Sequence, residues 1–221
     1  MPTMINLPKS TEYNKRIPKQ KFYENSDLPS SIKNAFKDQI KTIYWRNKLT
    51  SEFLNISKGH FVEEIEIFEI NLNEPRIDEA VLRYIDKVIP YHILFFLEFE
   101  KEYQAYMAYK EIIRSDFKEV NGKIGNYYHT YWMEESELPL RIEGLSIDEV
   151  YENLVRQTAG EELSQRRSDE TLKESVERGI VKRELQKKIT ALEKKMRNEK
   201  QFNKQIELNA QLKKLKQEME A

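Results

Sequence analysis

IDKVIPYHILFFLEFEKEYQAYMAYK, residues 85–110, is the stretch around which the rest of the chain must fold. Residues 92–99 are almost wholly apolar, rich in β-favouring types and preceded by Pro90, which reads as a strand covered on both faces. Glu100, Lys101 and Glu102 then interrupt the apolar run. Residues 103–110 alternate, with Tyr103, Ala105, Met107 and Tyr109 on one face and Gln104, Tyr106, Ala108 and Lys110 on the other. The pattern is a β-hairpin, although its charged turn fixes the register less firmly than Asn-Gly would.

Upstream, residues 61–72 (FVEEIEIFEINL) form a second long strand, with Ile65 and Ile67 on one face and Phe68, Ile70 and Leu72 on the other. Glu63, Glu64, Glu66 and Glu69 invite a metal or acid–base reading, because hard cations take clustered carboxylate oxygens. Alternation sends Glu66 and Glu69 to opposite faces, so the acids read instead as charges guarding an edge strand. Ile77, Val81, Leu82 and Ile85 place a short helix between this strand and the hairpin. Such an order allows a parallel pair with a crossover or an antiparallel arrangement. Ser30 and Ser31 can cap a helix carrying Ile32, Ala35, Phe36, Ile40 and Ile43, and residues 44–56 read as a short strand and a turn. Four of the seven prolines fall in residues 1–30, which predicts an extended basic arm anchored by Ile5, Leu7, Ile17, Phe22 and Tyr23.

Downstream, residues 111–123 are a polar connection ending in the turn signal Asn121-Gly122, and residues 126–133 (NYYHTYWM) are an aromatic strand. Aromatic residues on a sheet can stack unpaired bases, but on a strand they more often serve cross-strand packing. The three histidines, His60, His92 and His129, lack the spacing of a metal triad. Ser146, Glu149 and the apolar series Ile147, Val150, Tyr151, Leu154 and Val155 mark a capped helix that Gly160 stops. The fold class is therefore α+β, a small mixed or antiparallel sheet with flanking helices, occupying residues 31–160 after the 1–30 arm.

Residues 161–179 are a charged linker, and from Ile180 onward neither Gly nor Pro occurs. Leu185, Ile189, Leu192 and Met196 are spaced 4, 3, 4, as are Leu208, Leu212, Leu215 and Met219, giving two short seams of coiled-coil character for protein contacts. Leu185 and Leu208 are 23 residues apart, so on one straight helix the second stripe lies roughly 140° from the first. Either one long helix meets different partners on its two halves, which is the expectation, or the tail folds back near Asn198.

The chain has 221 residues, is 39% hydrophobic and 34% charged, and contains no cysteine, which excludes disulfides, thiolate metal sites and cysteine nucleophiles. With no apolar run approaching the roughly 20 residues of a membrane span, a cytoplasmic protein is expected. Residues 1–21 carry five basic and one acidic side chain, residues 22–160 carry 16 and 25, and residues 161–221 carry 16 and 12. The acidic body is thus flanked by basic ends. Lys15, Arg16, Lys19 and Lys21, with Lys187, Lys188, Lys194 and Lys195, are candidate phosphate contacts, although charged faces are usually only solvated. No P-loop, Gly-rich dinucleotide turn, zinc spacing or nucleophile elbow is present, and neither a cofactor nor a catalytic residue is predicted.

VEEIEIFEI, IDKVIPYHILFFLEF, AYMAYK and RNEKQFNKQIELNAQLKKLKQEME together resemble an uncharacterised bacterial family, domain of unknown function 4391. That resemblance implies companions of helicase and DNA methyltransferase genes in restriction-like and anti-phage loci, with no catalytic residues to carry over. The leading expectation is a non-catalytic accessory or assembly subunit using its C-terminal helix, by contact with another protein or by self-association. One alternative is a metal-dependent nuclease built on Asp86, Glu98, Glu100 and Lys110. The other is a sequence-independent nucleic-acid-binding module.

Overall fold

The computed structural model describes residues 7–24, 27–113, 121–165, 167 and 169–220. The expected anchor Ile5 and residues 114–120 of the expected polar connection lie outside them. The chain divides into two compact units, residues 1–160 and 161–221.

The first unit is built on a mixed sheet. Strands β1 (Glu12–Ile17), β2 (Ile40–Thr50), β3 (Glu64–Leu72), β4 (His92–Phe99), β5 (Glu102–Ile113) and β6 (Asn121–His129) lie in sequence order, and the short β7 (Met133–Glu134) pairs with β5. All neighbours are antiparallel except β3 and β4, which run parallel. Helix α1 (Ser30–Asp38) precedes β2, one helical turn α2 (Ser51–Leu54) follows it, α3 (Glu79–Val88) makes the β3–β4 crossover, and α4 (Ile147–Ala159) ends the unit.

The expected hairpin is present. Glu100 and Lys101 turn it with φ of 50° and 74°, a left-handed conformation that charged residues adopt less readily than Asn-Gly. Phe99 pairs with Glu102 and Leu94 with Met107, so the alternation read from the sequence is the alternation in space. Phe68, Ile70, Phe95, Leu97, Ala108 and Tyr127 form one core face with Phe36 of α1 and Val81, Leu82 and Ile85 of α3. On the other face Ile65, Ile67, Leu94, Phe96 and Met107 are buried, and α4 lies against β5 and β6 on that side.

Three expectations are corrected. Ile40 and Ile43 belong to β2 and not to α1, and β2 is 11 residues long where a short strand was expected. A bulge between Ile40 and Thr42 turns Ile40 and Ile43 to the same core face, giving a strand the i, i+3 spacing of a helix. Strand β3 is interior, flanked by β2 and β4, so its glutamates do not guard an edge. The proline-rich arm is extended over Glu12–Ile17, where the extension is an edge strand, and Leu7, Phe22 and Tyr23 are buried.

In the second unit, α5 (Leu172–Asn198) opens with a capping box between Thr171 and Glu174, a T-x-x-E pattern that was legible at 171–174 but read as linker. The favoured single long tail helix is corrected as well. The chain leaves helical geometry at Glu199 and α6 (Phe202–Glu220) follows, held against α5 by a Lys216–Glu193 ion pair of 2.9 Å. No helix among the described residues is long and apolar enough to cross a membrane.

Candidate functional site

The helical hairpin α5–α6 gathers the predicted seam residues. Counted from residue 200, Leu192 and Leu208 stand eight positions away on either side, and Leu185 and Leu215 stand fifteen, so a short reversal places them at matching heights. Leu185, Ile189, Leu208 and Leu212 are buried, while Leu192, Met196, Leu215 and Met219 are half-buried. The 23-residue offset that spoils one continuous coil is therefore compatible with two short stripes closing on each other. Glu199 fixes the reversal, its carboxylate accepting from the backbone N–H groups of Lys200 and Gln201 at 2.9 Å.

What the sequence reading missed is the opposite side of α6. Phe202 is 72% exposed and Ile206 is 54% exposed; the two are one turn apart and point roughly 120–160° away from the Leu208 stripe. Residues 194–206 carry five basic side chains, Lys194, Lys195, Arg197, Lys200 and Lys204, against the single acid Glu199, and all five are exposed. Phe202 and Ile206 were legible at i, i+4 but did not fall in either seam.

The predicted phosphate contacts fall in both units, Lys15, Arg16, Lys19 and Lys21 in the first and Lys187, Lys188, Lys194 and Lys195 in the second. Lys19 donates to the carbonyls of Lys37, at 2.8 Å, and Ile40, and so closes the end of α1. Lys15 lies over the Tyr13 ring and Lys187 pairs with Glu184, while Lys188, Lys194 and Lys195 are exposed. Of the expected aromatic strand 126–133, β6 ends at His129; Tyr127 and Tyr128 are buried and His129 stacks on Tyr106 at 4.7 Å, while Tyr131 lies beyond the strand and is exposed.

The four nuclease candidates separate into two places. Lys110 and Asp86 meet in the core: Lys110 Nζ donates to the carbonyls of Asp86 (2.9 Å), Ile89 (3.0 Å) and Tyr91 (2.8 Å) and lies 3.3 Å from Asp86 Oδ1. Tyr127 Oη donates to Asp86 Oδ2 at 2.6 Å. Burial pushes the Asp86 carboxyl up and the Lys110 ammonium down, and their mutual attraction opposes both shifts. An ammonium has three protons, and three carbonyls plus a carboxylate already surround it. Lys110 is thus a buried cap on the end of α3, where positive charge meets unpaired carbonyls. Glu98 and Glu100 sit at the far end of β4, six residues or more along the strand from His92 and about 20 Å away. Glu98 Oε1 there accepts from the Lys101 N–H.

The glutamates of β3 are buried, and Glu69 and Glu64 pair with basic side chains of β2. Arg46 holds Glu69 with two hydrogen bonds of 2.9 and 2.8 Å. On the opposite face Glu64 and Glu66 point the same way, with Lys48 Nζ 2.5 Å from Glu64 Oε2. Glu66 is 1% exposed and shares a hydrogen bond with Glu64; desolvation first, and the neighbouring carboxylate second, raise its carboxyl to about 9. Both causes favour its protonated form. Among the described residues no group of three or more acids or histidines is arranged to hold a metal ion. His92 is likewise buried, its ring 4.2 Å from that of Tyr151, and desolvation lowers it to about 4.

No curated protein and no solved structure matches the chain. One family model matches residues 5–219, nearly the whole length, and the chain belongs to that family, described as Domain of unknown function (DUF4391).

Proposed function

We propose that this protein is a non-catalytic assembly subunit that docks on a protein partner through its C-terminal helical hairpin. The observation that supports this reading is the outer face of α6, where Phe202 and Ile206 are exposed among basic side chains while the inner stripe of the same helix is already covered. Large apolar side chains one turn apart on an exposed helix face are anchors of the helix-in-groove kind. A DNA-acting machine as the setting, restriction-like or anti-phage, rests on the family resemblance alone. The nuclease alternative loses its proposed residues, because the Lys110 donors are saturated and Glu98 and Glu100 lie at the other end of the strand.

Co-expression with the products of adjacent genes tests the proposal. The wild-type chain is expected to bring down a stoichiometric companion, and Phe202→Glu/Ile206→Glu is expected to lose it. Retention of the companion by that variant would remove the docking role from α6.

A further inference from the structure

The first unit carries an exposed apolar pair of its own. Phe61 is 68% exposed and Leu145 is 80% exposed, and their two loops are laced together. Ser57 N–H donates to the Leu145 carbonyl at 2.9 Å and Ile147 N–H donates to the Ser57 carbonyl at 3.2 Å. The Asp148 carboxylate accepts from the backbone N–H groups of His60 (2.6 Å), Phe61 (3.2 Å) and Val62 (2.7 Å). Leu145 N–H donates to Glu149 Oε2 at 2.8 Å. Even Gly59 serves the lacing, since a Cβ there would stand 2.3 Å from Asp148 Oδ1 and 2.5 Å from the Val62 carbonyl. Two large apolar side chains are thus held outward on a backbone that is already ordered, which lowers the entropic cost of covering them.

The charge around this pair is opposite to that around α6. Residues 57–63 and 141–156 carry Lys58, Arg141 and Arg156 against five acids, Glu63, Glu143, Asp148, Glu149 and Glu152, of which Glu152 pairs with Arg156. Residues 194–206 are basic by five to one around their own apolar pair. Two copies joined through α6 alone would bring like charges together, whereas α6 of one copy against the 57–63 and 141–156 segments of another joins opposite charges and covers both apolar pairs.

We infer that the basic face of α6 bearing Phe202 and Ile206 docks on the acidic Phe61–Leu145 surface of a second copy of this chain. The inference rests on the docking role of α6 proposed above and names its partner. The contact is heterologous, joining different patches, so it leaves one free patch of each kind and propagates into a ring or an open array.

Light scattering and sedimentation on the full chain, across concentration and at two ionic strengths, test it. Wild type is expected to gain mass with concentration, with association weakening about tenfold or more at high salt. Phe202→Glu/Ile206→Glu and Phe61→Glu/Leu145→Glu are each expected to be monomeric with unchanged circular dichroism. Mixed one to one, they are expected to form a dimer and stop there, because each supplies the patch the other lacks. Lys200→Glu/Lys204→Glu changes only exposed side chains and is expected to lose assembly as well. A wild-type chain that stays monomeric at high concentration, a mixture that does not associate, or full assembly by either double variant overturns the inference. If wild type is monomeric yet recovers a co-expressed companion that Phe202→Glu/Ile206→Glu loses, the self-contact falls and the docking role stands.

Discussion

Replacing Lys110 by Met keeps an unbranched side chain, one heavy atom shorter, and removes its charge. The consequence is large because every neighbour of Nζ is an acceptor. Asp86 is 1% exposed, and without Lys110 its carboxylate keeps the Tyr127 hydroxyl as its hydrogen-bond donor among the described residues, while the carbonyls of Asp86, Ile89 and Tyr91 lose a donor. Breaking a buried ion pair from one side costs about 3–5 kcal/mol, since the surviving charge stays buried. For a unit of this size that lowers the melting temperature by about 6–20 °C. Urea unfolding followed by Trp fluorescence measures it, since Trp45 and Trp132 both lie in residues 1–160. Lys110→Met/Asp86→Leu, which removes both charges, is expected to recover at least about 1 kcal/mol of the loss. A Lys110→Met protein within about 1 kcal/mol of wild type, or a double variant less stable than the single one, would refute the capping role.

Other outcomes follow from the same geometry. Glu66 is protonated when folded and ionised when unfolded between its ordinary value and about 9, so its stabilisation is complete below pH 4.5 and is lost as pH rises toward 9, at up to about 1.4 kcal/mol per pH unit. Glu66→Gln, which imitates the protonated acid, is expected to flatten the alkaline limb of a stability–pH curve; an unchanged limb contradicts the shared proton. His92 works in the other direction, being neutral when folded down to about 4, so stability falls as pH drops from 6.5, and His92→Phe should reduce that acid limb in denaturant titrations. Leu208→Gln/Leu212→Gln is expected to cut helical ellipticity in proportion to part of α5 and α6 while Trp fluorescence stays native; a loss of native fluorescence would tie the hairpin to the stability of the first unit. If removal of residues 161–221 leaves DNA retention and its salt dependence unchanged, the tail lysines are not phosphate contacts.

The hairpin of β4 and β5 was legible because both strands are covered in a simple way, one by apolar residues throughout and the other by strict alternation. Alternation also placed Glu66 and Glu69 on opposite faces. It could not say that β3 is interior, because burial of a carboxylate depends on Lys48 and Arg46 from another strand. Ile40 and Ile43 were assigned to a helix because a bulge reproduces helical spacing in an extended chain. The reversal after Asn198 has no Gly or Pro to announce it; its trace in the sequence is the offset between the two stripes, which one straight helix cannot reconcile. Phe202 and Ile206 fall outside both seams, so their i, i+4 spacing joins neither predicted stripe. The loop contacts that present Phe61 and Leu145 join residues nearly ninety positions apart and leave no local pattern.

The docking role of α6 is tested most directly by recovery of a defined companion when the chain is co-expressed with the products of its adjacent genes, comparing wild type with Phe202→Glu/Ile206→Glu. The expected result is a stoichiometric companion with wild type and none with the variant, both chains showing the same circular dichroism. Equal recovery with both would contradict it, as would recovery with neither if α6 also fails to join a second copy.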